Sequence, residues 1–189
     1  MILDAAKTLF AQNGYHHTNI DNICDQLEIS RGTVYLYFNN RKDVFLAIVE
    51  EAMERLKASS ARTKTRDKRS KDKAASFRDL AGVELTRTLE ALFEDEPSIR
   101  ILLQVAPGIH PEIDALLRQI DDLAVDRFTS FLRASQKDGL VDLDIDPRKI
   151  AVFTIGGAQK LVLDTVVKRG KKPDIASLAA ESIRMSLGR

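Results

Sequence analysis

Residues 14–45 read GYHHTNIDNICDQLEISRGTVYLYFNNRKDVF, and the reading of this stretch governs the rest of the 189-residue chain. Thr18 stands as an N-cap ahead of Ile20, Ile23, Cys24 and Leu27, whose spacing places them on one face of a short helix. Glu28, Ile29 and Ser30 form a three-residue connection, and Ser30 caps a second helix from Arg31 to about Tyr37, broken by Asn39 and Asn40. Helix, tight turn and short second helix are the plan of a helix-turn-helix, whose second helix enters the major groove of DNA. The side chains suit that task. The caps Thr18 and Ser30 leave backbone N–H groups at two helix starts, where phosphates can dock. Arg31 can bond O6 and N7 of a guanine, Gly32 lets the backbone approach the bases, and Thr33 offers a hydroxyl and a methyl. All three tyrosines, Tyr15, Tyr35 and Tyr37, lie in the stretch.

Upstream, Ile2, Leu3, Ala5, Ala6, Leu9 and Phe10 repeat at helical spacing until Gly14 stops them. Downstream, a longer helix starts near Arg41. Residues 55–73 then carry nine Lys and Arg against two Asp, read here as the frayed end of that fourth helix plus a solvated, mobile connector. Helical periodicity resumes from about Ala74 to Phe93, from Pro97 to Val105, and from Pro111 to Asp138-Gly139. It returns from Pro147 to Lys168 and again from about Pro173, with proline at first-turn positions and glycine at ends. The sum is an all-α chain of about nine helices. The alternating run Leu140–Ile145 is too short for more than an extended link.

At this point the spacing of Gly14, Thr18, Ile23, Ile29, Ser30, Gly32, Thr33, Tyr35, Phe38, Arg41 and Val44 resembles the N-terminal domain of TetR-family (tetracycline-repressor-like) regulators. The resemblance implies an N-terminal helix-turn-helix DNA-binding domain, residues 1–45, and a helical ligand-binding and dimerisation domain, residues 46–189. It implies that Arg31, Gly32, Thr33 and Tyr35 face base edges or nearby backbone. Tyr37 and Arg41 stand where the family often has His and Lys, at phosphates; Ile23, Ile29, Val34 and Phe38 would be core. Two residues depart from the family pattern: Glu28 stands where Gly is usual, which strains the turn if it needs a positive φ, and Cys24 replaces Ala. The sequence starts almost at the first helix, so the basic arm that often precedes it in the family is expected to be absent or to have been removed. Residues 1–45 hold four basic and five acidic side chains, a poor balance for neutralising phosphate.

Other chemistry is not supported. One cysteine gives neither an internal disulfide nor a multi-thiolate metal site, and no cofactor is expected. Asp121, Asp122 and Asp126 lack a second cluster to complete a magnesium site and read as a solvated face. No phosphate-binding glycine loop, zinc-protease motif or nucleophile elbow is present, so the chain is read as a non-enzyme. No apolar run approaches the ~20 residues needed to cross a bilayer, and the expectation is a cytoplasmic protein.

The helix from Pro147 is apolar around most of its circumference, so it is expected to be buried on two sides, the second by a partner subunit. Val152, Leu161, Val162, Leu178 and Ile183 are the expected dimerisation residues of the last two helices. Phe93, Gln104, His110, Phe128, Phe131 and Gln159 are the expected ligand-binding set. The reading is therefore a homodimeric regulator of the repressor type, bound to a palindromic double-stranded DNA operator and released by a small apolar or amphipathic effector. The alternative is a helical protein-interaction adaptor with a vestigial DNA-binding domain.

Overall fold

Helix boundaries follow the punctuation of the chain. The computed structural model describes residues 1–60, 73–104 and 108–187, and among them there are helices and connections but no strand. The elements are α1 (Ile2–Asn13), α2 (Ile20–Leu27), α3 (Arg31–Tyr35), α4 (Arg41–Ser60), α5 (Lys73–Leu92), α6 (Glu96–Gln104), α7 (Pro111–Lys137), α8 (Pro147–Leu163) and α9 (Ile175–Leu187). A π-helical segment, Asp164–Lys168, extends α8. Gly14 ends α1 at φ 79°, and Pro111 and Pro147 open α7 and α8 at positions whose N–H would have no helical partner.

α1 packs on α2, α4 and α6, so the N-terminal module is built onto the larger helical body. Its core is an aromatic cluster: Phe45 meets Phe10 and Tyr15 edge-on at ring separations of 5.1 and 5.2 Å. α5 lies against α9, and α7 and α9 flank α8. Phe128, Leu132, Ile155 and Val162 are buried where these helices meet.

α4 belongs to both halves, since it runs unbroken through residues 45 and 46. Ion pairs and hydrogen bonds to its neighbours hold it. Lys7, itself buried, pairs with Glu51 at 3.1 Å. Lys42 pairs with Glu112 at the start of α7 at 2.8 Å. Arg55 donates to the Ala91 carbonyl at 3.1 Å and pairs with Glu94 at 3.1 Å, binding α4 to the end of α5. This corrects the expected frayed end: α4 continues through Ser60, and Arg55 is structural because it satisfies a carbonyl at the α5 terminus. Residues 61–72 of the basic run lie outside the described residues.

The Lys42–Glu112 tie responds to pH. Its hydrogen bond with Lys42 holds the Glu112 carboxyl below the usual carboxylate range and raises Lys42. A depressed carboxyl contributes stability above its unfolded-state pKa and loses it as pH falls through the folded-state value. The Lys42 side acts oppositely, losing its contribution only at strongly alkaline pH. Glu112→Gln is therefore expected to lower the thermal midpoint at neutral pH and to converge on the unmodified protein on acidification below about pH 4. Parallel midpoint curves across that range would contradict the assignment.

Candidate nucleic-acid interface

The turn between α2 and α3 explains the shape of the site. Glu28 adopts φ 54°, ψ 39°, the left-handed conformation, and its N–H bonds the Asp25 carbonyl while the Ile29 N–H bonds that of Cys24 at 3.1 Å. This is a Schellman closure, which usually takes glycine at the left-handed position. The strain expected of Glu28 is thus present, as it is the single described non-glycine residue with positive φ. Glu28→Gly is expected to stabilise the protein by about 0.5–1 kcal/mol, relief of side-chain crowding exceeding the entropy of the freer unfolded chain. That corresponds to a rise of about 1–4 °C in thermal midpoint, and Glu28→Val should lower it.

The cap of α2 is one residue later than expected. Asn19, not Thr18, is the N-cap: Asn19 Oδ1 accepts the Asn22 N–H and Asn22 Oδ1 accepts the Asn19 N–H, each at 2.9 Å. Thr18 is wholly buried and its hydroxyl lies 2.9 Å from the Gly14 carbonyl and 3.3 Å from that of Leu9. It fastens the α1–α2 corner and has no surface to offer a phosphate. Ser30 does cap α3, its Oγ accepting the Thr33 N–H at 3.3 Å.

Behind α3, Ile23 and Val34 are fully buried, while Ile29 and Phe38 pack half-buried against the core. In front, Ser30, Arg31, Gly32, Tyr35 and Tyr37 are exposed and Thr33 is half-exposed. A Cβ built at Gly32 would touch only the Ser30 Oγ, at 3.6 Å, so the protein's own packing does not demand glycine there; its open side faces outward. Leu36 is 80 % exposed, the end of an apolar tip shared with the two tyrosines, and periodicity did not single it out because α3 is too short to show a stripe.

All four cations of residues 1–45 have partners. Lys7 and Lys42 are paired as described above. Arg31 is engaged by Asp21, with Nε 2.5 Å from Oδ1. Arg41, expected at phosphate, instead donates Nη1 to the carbonyls of His16 at 3.0 Å and Thr18 at 3.4 Å, its guanidinium 4.7 Å from the Tyr15 ring centre. That is a correction with a clear cause. The α1–α2 corner leaves carbonyls unsatisfied by helix bonding, and Arg41 supplies the donors.

The six expected ligand residues are not brought together. Phe93 and Phe128 are buried core, and Gln104 is exposed. His110 caps α7, its Nδ1 accepting the Glu112 N–H, and Gln159 donates to Asp121 at 2.9 Å on the surface. Phe131 alone lines a cavity, of about 580 Å³, between α4, α5 and α7. Leu56, Leu123 and Ala134 share its apolar wall, with Lys57, Ser130 and Arg127 as polar groups. Those residues come from helices about 70 positions apart, a proximity no local spacing encodes.

Two expected dimerisation residues are also corrected. Val162 and Ile183 are 0 % and 2 % exposed, covered by their own protomer because α8 and α9 turn these faces to their neighbours within the chain. The outward stripe of α8 is Val152, Phe153, Gly156, Gly157 and Lys160, and Met185 is exposed on α9. Leu161 and Leu178 are half-buried. Asp122 and Asp126 pair with Arg148 of α8, as expected of a charged face, and among the described residues no cluster of metal-ligating side chains is formed. No described helix is long and apolar enough to cross a membrane.

With this geometry in view, residues 2–48 match the family described as bacterial regulatory proteins, tetR family. The fatty acid metabolism regulator protein of Bacillus subtilis (strain 168) is 40 % identical over 52 residues, 28 % of this chain. That match spans only 27 % of the relative's own length. The uncharacterized HTH-type transcriptional regulator YfiR of the same organism is 26 % identical over 98 % of this chain and 88 % of its own. Among solved structures, the transcriptional regulator FadR from Bacillus subtilis in complex with stearoyl-CoA superposes with a TM-score of 0.74 at 20 % identity, covering 99 % of this chain and 96 % of that one. The fold is shared across the whole length; the sequence family is carried by the N-terminal module.

Proposed function

We infer that this chain, which belongs to the TetR family by its N-terminal helix-turn-helix, is a homodimeric transcriptional repressor that leaves its operator when a small amphipathic ligand binds. Residues 1–45 are the DNA-binding module and 46–189 the ligand-binding and dimerisation domain, α4 being shared. The observation that carries the reading is the exposed face of Ser30, Arg31, Gly32, Thr33, Tyr35 and Tyr37, set outward beyond the α2–α3 turn that the Glu28 and Ile29 N–H groups close, while Thr18 and Arg41 fasten the α1–α2 corner. Arg31 reads guanine, Leu36 meets thymine methyls, and the hydroxyls of Ser30, Thr33, Tyr35 and Tyr37 bond backbone or bases. Two such faces related by a dyad call for a palindromic site. The exposed stripe of α8 around Phe153 and Gly156, with Met185 of α9, is the surface that a second copy covers.

The effector site is the cavity walled by Leu56, Leu123 and Phe131 against α4, so occupancy acts directly on the helix that carries the DNA module. Relatives described as regulators of fatty acid metabolism, one of them solved with stearoyl-CoA, favour a fatty-acyl ligand. To release DNA, it must bind the released state more tightly than the bound one. The site of action is the cytoplasm.

A band shift with genomic fragments across a salt series tests this. Each phosphate neutralised steepens the logarithmic salt slope by about 0.9. Because the module's cations are already paired, a sequence-specific complex is expected with a slope shallower than about −4 per dimer. A slope near −10 would assign phosphate contacts to the basic segment 55–73. Absence of any specific complex would refute DNA binding and favour the protein-interaction adaptor.

A further inference from the structure

Asp21 sits in the first turn of α2, ten residues before Arg31, and the Schellman turn folds it back beside the start of α3. The pair is two-pronged: Arg31 Nε lies 2.5 Å from Asp21 Oδ1 and Nη2 donates to Oδ2 at 2.6 Å. The side chains are 67 % and 45 % exposed, so the pair adds little to folding stability. An acid on the DNA-facing surface of a module already net negative also opposes phosphate binding. What the contact does supply is direction. A guanidinium has two edges able to grip a two-atom acceptor, the side edge of Nε and Nη2 and the end edge of Nη1 and Nη2. Asp21 occupies the side edge. Nη1 has no partner among the described residues, so the end edge keeps both donors for O6 and N7 of a guanine.

We propose that Asp21 is a positioning residue that holds Arg31 by its side edge and aims the end edge at one guanine in each half-site. The proposal rests on the reading of Arg31 as a base contact and adds what makes that contact selective. A free arginine on an exposed helix start samples many rotamers and bonds phosphate as readily as base; one held in a carboxylate fork is spent on a single direction.

The test uses the full chain and a duplex selected by the unmodified protein from a randomised library, with a second duplex carrying adenine at the preferred guanine. Fluorescence anisotropy on both, and on mixed-sequence DNA, separates selectivity from general affinity. The unmodified protein is expected to favour guanine about tenfold or more. Asp21→Ala should reduce that to about twofold while its affinity for mixed-sequence DNA is unchanged or raised, and it should add nothing in an Arg31→Ala background. A retained guanine preference in Asp21→Ala, or an equal loss with and without Arg31, would overturn the proposal. So would a uniform loss on all DNA accompanied by a lower thermal midpoint, which marks a purely structural role. If the unmodified protein selects no sequence, the DNA reading itself fails. If Arg31→Ala leaves the guanine preference intact, Arg31 does not read the base and the proposal falls with it.

Discussion

Phe153→Glu is expected to halve the mass of the particle in solution, from twice the 21.1 kDa chain to once, and to abolish tight operator binding. Phe153 is 66 % exposed and Val152 52 % exposed on α8, a large aromatic and a branched aliphatic side by side in water. Monomeric proteins seldom leave such a pair uncovered beside a glycine-lined helix face. Gly156 and Gly157 lie one turn further on, and a Cβ built on either meets nothing within 4 Å. A second α8 can therefore cross there at close range, with the glycines as the point of approach and the aromatic ring beside it. A carboxylate in that interface is desolvated against its symmetry mate, so the cost is counted twice. Two linked recognition helices bind about 10²–10⁴-fold more tightly than one, and that factor is what the operator affinity should lose. The protomer itself should remain folded. Val162→Glu is the instructive contrast: Val162 is buried within its own chain, so it should depress the thermal midpoint sharply instead of yielding a folded monomer. Light scattering and a melting curve on each variant distinguish the outcomes, and an unchanged mass for Phe153→Glu would refute the proposed interface.

That pair of residues also shows where a sequence stops being informative. The ends of α7 and α8 were legible because proline and glycine act locally, through a fixed φ, a missing N–H or a tolerated left-handed turn. The second helix of the helix-turn-helix was legible from its Ser30 cap, whereas the left-handed φ of Glu28 was raised only as a condition by the resemblance. Which face of α8 turns inward was not. A helix apolar around most of its circumference has no stripe to orient it, and Val152 and Val162 are equivalent by composition. Thr18 and Asn19 are both good capping residues in succession; burial of Thr18 against the end of α1 decides between them, together with the reciprocal bond available from Asn22. The resemblance implies a phosphate role for Arg41, and nothing in the chain announces that the carbonyls of His16 and Thr18 stand unsatisfied 25 and 23 residues earlier. Local chemistry is written in local order, whereas partners across the fold are not.

The most buried of those distant partnerships joins α5 and α7 to the end of α4, and breaking it should have the largest effect on stability. Arg127 of α7 and Glu84 of α5 are 8 % and 4 % exposed and paired at 2.5 Å. The same guanidinium reaches the end of α4, where Nη1 lies 3.4 Å from the Leu56 carbonyl and bonds the Ser59 hydroxyl, and Nη2 donates to the Ser59 carbonyl at 3.5 Å. A cation at a helix C-terminus satisfies carbonyls that lack helical donors and opposes the negative end of the dipole. Glu84→Leu leaves Arg127 its carbonyl acceptors but removes its paired carboxylate from a site with little access to water. Removing one member of a buried pair costs about 3–5 kcal/mol, and the surviving acceptors place this case near about 3. The thermal midpoint should fall by about 6–12 °C. Adding Arg127→Met should recover most of the loss of the pair, since two apolar side chains of similar volume avoid burying a charge at all. The double variant nevertheless lacks the donors at the end of α4, and there its behaviour should differ from the unmodified protein. With that end released, amide exchange in residues 53–59 should accelerate even though the melting point has largely returned. Because Arg127 also lines the cavity proposed for the effector, the double variant should bind DNA while responding weakly to ligand. A Glu84→Leu variant that melts with the unmodified protein would show that the pair carries no net stability, and a double variant no more stable than the single would show that Arg127 contributes through α4 alone.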